Sequence, residues 1–195
     1  MEKMKTTVGL APGIINKDGK ILLVRRTDHD SITKIDYFKN WELPIVAVME
    51  SDLPALPYDY LSRELERGIT REIGTIISVK KMPAFYPVMF RGPAGYDLLL
   101  ITAIQLMAND LSYPVNSFRP EIIWVSPQEI NQLAEDFVSF TQAQKQGLPG
   151  GARGLLSGFG KRQHCAALRI LEIFSSNEKY RKEAASTLLA IQASW

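Results

Sequence analysis

Arg67-Gly68-Ile69-Thr70-Arg71-Glu72-Ile73-Gly74 is the stretch on which the fold turns. Working back from it, Leu61, Leu65, Ile69 and Ile73 recur every four positions after Tyr58, the apolar stripe of an amphipathic helix. Gly74 stands one place beyond, where a helix end favours a residue that takes a left-handed backbone without a Cβ penalty. Arg63, Glu64, Glu66, Arg67, Arg71 and Glu72 flank the stripe. A helix with several carboxylates on one face, closed by a glycine turn, can hold divalent cations against a pyrophosphate and activate water for attack on phosphorus.

Outward from this helix the chain reads as a mixed α+β domain. Val8 to Ile15 and Ile21 to Arg26 are strands joined by Asn16-Lys17-Asp18-Gly19-Lys20, in which Asp-Gly supplies hairpin-turn geometry. Thr27 to Asn40 is a polar loop entering a short strand at Trp41-Glu42-Leu43-Pro44, and Ile45 to Met49 is a β-branched strand. Pro54 and Pro57 interrupt Glu50 to Pro57, so a loop precedes the helix. Thr75 to Val79, Ala84 to Phe90, Tyr96 to Met107 and Ile122 to Val125 read as further strands, with Arg91 to Gly95 turning between two of them. Ser126-Pro127-Gln128-Glu129 carries an N-cap serine, a proline at the first helical position and an acidic first turn, predicting a helix through about Leu133.

Gly147, Gly150, Gly151, Gly154, Gly158 and Gly160 mark a seam before two helical patterns, Gln163 to Phe174 and Glu178 to Ala193. The expected organisation is a main domain over residues 1–145, with residues 146–195 forming a glycine-rich connector and a helical hairpin packed on it.

Bulk composition narrows the function. A net charge of +2, from 23 Lys+Arg against 21 Asp+Glu, gives too little phosphate-neutralising surface for non-specific nucleic-acid binding, so no nucleic-acid partner is expected. One cysteine, Cys165, excludes an internal disulfide framework. Two histidines, His29 and His164, are too few for a Cys/His zinc cluster. With no apolar run of membrane-spanning length and no signal-peptide pattern at Met1 to Gly13, a soluble cytoplasmic protein with no membrane partner is expected.

The motifs together resemble the Nudix hydrolases, whose signature runs G-x₅-E-x₇-R-E-U-x-E-E-x-G-U with U aliphatic. The hairpin ending Ile21 to Arg26 is similar to that family's first strands, and Trp41-Glu42-Leu43-Pro44 resembles the segment before its box. Ile122 to Glu129 resembles its late strand-to-helix element, so the likeness covers about Thr7 to Leu133 in the expected order. It implies a Nudix-type α/β/α sandwich with a mixed β-sheet, a C-terminal helical extension, magnesium or manganese as cofactor, and a nucleotide or nucleotide derivative as ligand.

Aligned on Gly74, Arg67 matches the family arginine, Ile69 the aliphatic position and Glu72 the second residue of the glutamate pair. Gly68 takes the place of the first family glutamate and Arg71 that of the first residue of the pair, which leaves Glu72 alone of three customary ligands. Ile45 and Val46 replace the glycines that follow the family's proline, and the spacing from Pro44 to Arg67 implies an insertion around Glu50 to Asp59. A second register, with Arg63-Glu64-Leu65 on the family's R-E-U, places Thr70 at the glycine and is disfavoured because a helix end is where glycine is useful. Two unit charges about 4 Å apart interact by roughly 4 kcal/mol at an effective dielectric of 20, so an arginine in place of a carboxylate beside a divalent ion reverses a large interaction. The resemblance therefore implies Glu72 and Arg67 as catalytic positions and a displaced metal set of Glu72, Glu64 and the strand carboxylate Asp97.

Other constellations carry less. Gly158-Phe159-Gly160-Lys161-Arg162 lacks the spacing and the Ser/Thr of a phosphate-binding loop. His164 and Cys165 are adjacent on a helix and point in different directions, which does not make a nucleophile and its base. Trp41, Tyr96 and Trp124 are aromatics for a base to stack on, with core packing as the competing role. Three functions stay open: a divergent pyrophosphohydrolase of weakened activity, a non-catalytic nucleotide or nucleotide-sugar binding module, and a structural or oligomerisation protein, with a homodimer among the expected partners.

Overall fold

The computed structural model describes residues 5–25, 41–48, 60–75, 86–92, 95–105, 111, 120–135 and 161–193. The expected loops at Thr27 to Asn40 and Glu50 to Pro57, most of the strand expected at Thr75 to Val79, and the glycine-rich connector lie outside them.

Strands β1 (Lys5–Ile15) and β2 (Ile21–Arg25) form the expected hairpin. Asn16 organises its turn: the side-chain Oδ1 accepts the backbone N–H of Asp18 at 3.1 Å and of Lys20 at 2.9 Å. The Gly19 N–H donates to the Asn16 carbonyl, and Gly19 takes φ 81°, the left-handed region that glycine enters at no steric cost. Next come β3 (Trp41–Glu42) and β4 (Val46–Val48), then helix α1 (Tyr60–Ile73). β5 (Tyr86–Gly92) and β6 (Gly95–Gln105) follow, then β7 (Ile122–Val125). Helix α2, described over residues 127–135, precedes α3 (Lys161–Phe174) and α4 (Glu178–Ala193).

The described strands form one seven-stranded sheet in the order β3-β2-β1-β6-β5, with β4 also on β1 and β7 also on β2. β1 and β6 run parallel from Lys5↔Gly95 to Ile15↔Gln105, and the other pairs are antiparallel. The sheet is therefore mixed and the class α+β.

Alternation along the strands divides the core between the two faces. Ile14, Leu22 and Val24 meet Ile69 and Ile73 of α1, with Ile104, Ile122 and Trp124 at the margin. Their neighbours Ala11, Ile15, Ile21, Leu23, Ile101 and Val125 meet Ala166, Ala167 and Ile170 of α3, together with Ile130 of α2 and Ala184 of α4. Helices thus cover both faces, an α/β/α sandwich. The C-terminal helices are part of the main core, because α3 lies directly on β1: a Cβ at Gly13 would stand 2.1 Å from Ile170 Cγ2.

Polar contacts fix the same layer. Gln163 Oε1, buried on α3, accepts the Leu43 N–H at 3.0 Å, and the Ser175 hydroxyl donates to the Gly19 carbonyl at 2.8 Å. The bend between α3 and α4 is thereby fastened to the β1–β2 turn, 156 residues away in sequence. α2 starts as expected at Ser126: the Glu129 carboxylate accepts the Ser126 N–H at 2.7 Å, while the Ser126 hydroxyl faces the Glu129 N–H at 3.4 Å, a reciprocal capping box.

Candidate functional site

α1 is helical for the reason its sequence states. Leu65, Ile69 and Ile73 are fully buried, and burying each such side chain is worth about 1.5–3 kcal/mol. Gly74 ends the helix with φ 76° and donates its N–H to the Thr70 carbonyl at 2.9 Å. Thr70 lies inside the helix and back-bonds to the Glu66 carbonyl at 2.8 Å. The helix end is therefore at Gly74, as the preferred alignment requires, and not at Thr70.

Glu64, Gly68 and Glu72 follow at intervals of four along one side of α1. Glu64 is drawn onto Arg67: both carboxylate oxygens accept the Arg67 Nε at 3.1 Å, and Oε2 also pairs with Nη2. This side chain is only 13% exposed, whereas Arg67 reaches into solvent. Glu72 turns to Arg71, accepting Nε at 3.0 Å and Nη2 at 2.8 Å on the single oxygen Oε1. Arg71 is 57% exposed and Glu72 33%.

Two features of this donor set oppose a divalent ion on α1. Glu64 and Glu72 are eight residues apart, about 12 Å along the axis, with only Gly68 between them. A magnesium ion needs oxygens at roughly 2.1 Å, and each carboxylate instead faces its own guanidinium. In addition, Arg71 brings a fixed positive charge to the place where the family has a ligand. Among the described residues, no group of three or more His, Cys, Asp or Glu side chains is placed to hold a metal ion. The customary magnesium or manganese does not fit the α1 side chains as they stand.

Asp97, the expected third carboxylate, sits within β6, with its backbone paired to Thr7 on β1 and Phe90 on β5. Trp124 packs at the margin of the core beneath α1, and Trp41 at the margin of the opposite core with the Arg25 guanidinium 5.9 Å from its ring centroid. Both are thus engaged in packing.

The pairing of Arg67 with Glu64 had a legible signal, opposite charges three residues apart on a helix. A half-buried polar junction at His164 had none in the sequence. His164 Nε2 meets Asn131 Oδ1 at 2.8 Å, and Asn131 Nδ2 donates to Thr187 Oγ1 at 3.3 Å, which joins α3, α2 and α4. Burial holds the imidazole below its usual pKa. Cys165 is partly buried against the α3-side core. At Glu129, burial acts to raise the carboxyl pKa, but hydrogen bonds from Ser126 and the ammonium of Lys20 at 3.1 Å together hold it below the ordinary value.

No protein-family model matches the chain, and no curated protein does. Among solved structures it is similar to the MutT protein of Methanosarcina mazei Go1, at 21% identity and TM-score 0.44, over 67% of this chain and 83% of that one. It is also similar to the NUDIX domain of Shewanella oneidensis NrtR, solved with ADP ribose, at 12% identity and TM-score 0.43, covering 66% and 77%. A NUDIX-family hydrolase from Clostridium perfringens is similar at 10% identity and TM-score 0.44, covering 86% and 97%. No helix among the described residues is long and apolar enough to cross a membrane.

Proposed function

We propose that this chain is a divergent Nudix-type protein that binds a nucleoside diphosphate derivative and has lost most of the family's metal-assisted cleavage. The observation that carries the reading is the state of α1: it keeps the arginine and the terminal glycine of the motif, yet commits both Glu64 and Glu72 to arginines. On this reading residues 1–145 supply the ligand site, and the C-terminal helices complete the core beneath it.

The pyrophosphohydrolase reading keeps one supporting observation. Glu72 stands at a family ligand position, and an exposed ion pair such as Arg71–Glu72 is worth only about 0–1 kcal/mol, a small obstacle to a divalent ion. A panel of ADP-ribose, dinucleotides, NADH and nucleoside triphosphates, with magnesium or manganese, separates the two. Calorimetric binding of at least one member without release of cleaved product is the expected result. Metal-dependent cleavage that disappears in Glu72→Gln would instead establish the enzyme.

A further inference from the structure

Resting on the proposed binding of a nucleoside diphosphate derivative, with α1 taken as the helix that meets its pyrophosphate, we infer that Arg71 supplies the positive charge that a divalent cation supplies elsewhere, so that this chain binds a pyrophosphate group without metal. Arg71 stands where the motif has a metal ligand and presents a guanidinium to solvent at the end of the helix. A guanidinium carries five N–H donors, and among the described residues Glu72 engages Nε and Nη2, which leaves Nη1 for an incoming anion. Both bonds fall on one oxygen of Glu72, so the carboxylate meets the arginine along one edge only, in a pairing worth little at this exposure.

The neighbouring changes have the same sense. Against the family's pattern, Gly68, buried here, removes one negative charge from α1, and Arg71 replaces a second negative charge by a positive one. Glu64, the remaining carboxylate of that side, is little exposed and neutralised by Arg67. A phosphate anion near α1 therefore meets the Arg71 guanidinium with the Glu72 carboxylate beside it, one positive and one negative charge, where the family's pattern has carboxylates alone. A planar guanidinium also matches the oxygen edge of a phosphate, which a point charge does not.

The test is calorimetric titration of the full chain with inorganic pyrophosphate and with ADP, in EDTA and again in excess magnesium. Binding in EDTA within about twofold of that in magnesium is expected, with Arg71→Gln weakening it roughly tenfold or more and Arg71→Lys recovering part of the loss. Because Arg71 is exposed, its variants should melt as the wild type does, which separates lost binding from lost fold. Binding that requires magnesium would overturn this inference while leaving the nucleotide-binding reading intact. Metal-free binding unchanged in Arg71→Gln would overturn the role of Arg71, and no binding of ADP, pyrophosphate or any member of the nucleotide panel under either condition would overturn both readings.

Discussion

Gly13 and Gly19 each hold a close approach between the N-terminal hairpin and the C-terminal segment, for different reasons. At Gly19 the backbone angle itself demands glycine, and a Cβ would also meet Ser175 Oγ at 2.6 Å. At Gly13 the demand is for space. Ile170 is fully buried and β-branched, so its Cγ2 cannot swing away from a new methyl group placed 2.1 Å from it. Gly13→Ala should cost about 1–3 kcal/mol as overpacking, read as a fall in the urea midpoint. In a double-mutant cycle, Gly13→Ala with Ile170→Ala should be less damaging than the two separate losses combined, and strict additivity would show that the contact is not what limits position 13.

At the scale of elements, the most informative junction is the one where α2, α3 and α4 meet at His164. Its pKa is lowered in the folded chain by burial, whereas the unfolded value is about 6.5. Between the two values the unfolded state binds more protons, so stability rises with pH across this window. The contribution is fully present above about pH 6.5 and is lost as the pH falls toward the lowered folded value. The urea midpoint should therefore fall between pH 7.5 and 5, and His164→Gln should flatten that dependence; an unchanged slope in the variant would assign the effect to other groups. Glu129 acts lower on the scale: its depressed pKa contributes stability above its ordinary value of about 4.3, lost as the pH falls through the folded value.

How far such elements were legible depended on how local their cause was. The Ser126 cap, the turn at Gly19 and the stop at Gly74 were all visible, because capping and left-handed backbone are decided within a few residues. The capping-box return from Glu129 and the pairing of Glu64 with Arg67 follow equally local spacings that could have been read. The His164–Asn131–Thr187 junction could not, since its members are 33 and 56 residues apart and carry no spacing rule.

For the whole molecule, the consequence of the layering is that the C-terminal helices cannot be separated from the sheet. Ala11, Ile15, Ile21, Leu23 and Ile101 are fully buried in the cluster that α3 completes. Deleting residues 161–195 would bare this face of the sheet, an apolar patch of the kind that drives association. The truncated chain should lose its cooperative thermal transition and elute as aggregate in size-exclusion chromatography. A monomeric fragment with a cooperative melt would show instead that the N-terminal part is stable alone.

By itself the sequence determined many of the elements and some of their ends: the four-residue stripe of α1 with its stop at Gly74, the hairpin, the two C-terminal helices, and the substitutions Gly68 and Arg71 that depart from the Nudix pattern. These are set by periodicity, capping and residue chemistry, which act over a turn of helix or a pair of strand positions. Tertiary structure alone decided which face of the sheet each helix covers, the close seating of α3 on Gly13, and the fastening of the α3–α4 bend to the first turn. Those depend on contacts between segments far apart in the chain, where packing volume and burial, not local preference, select the partner.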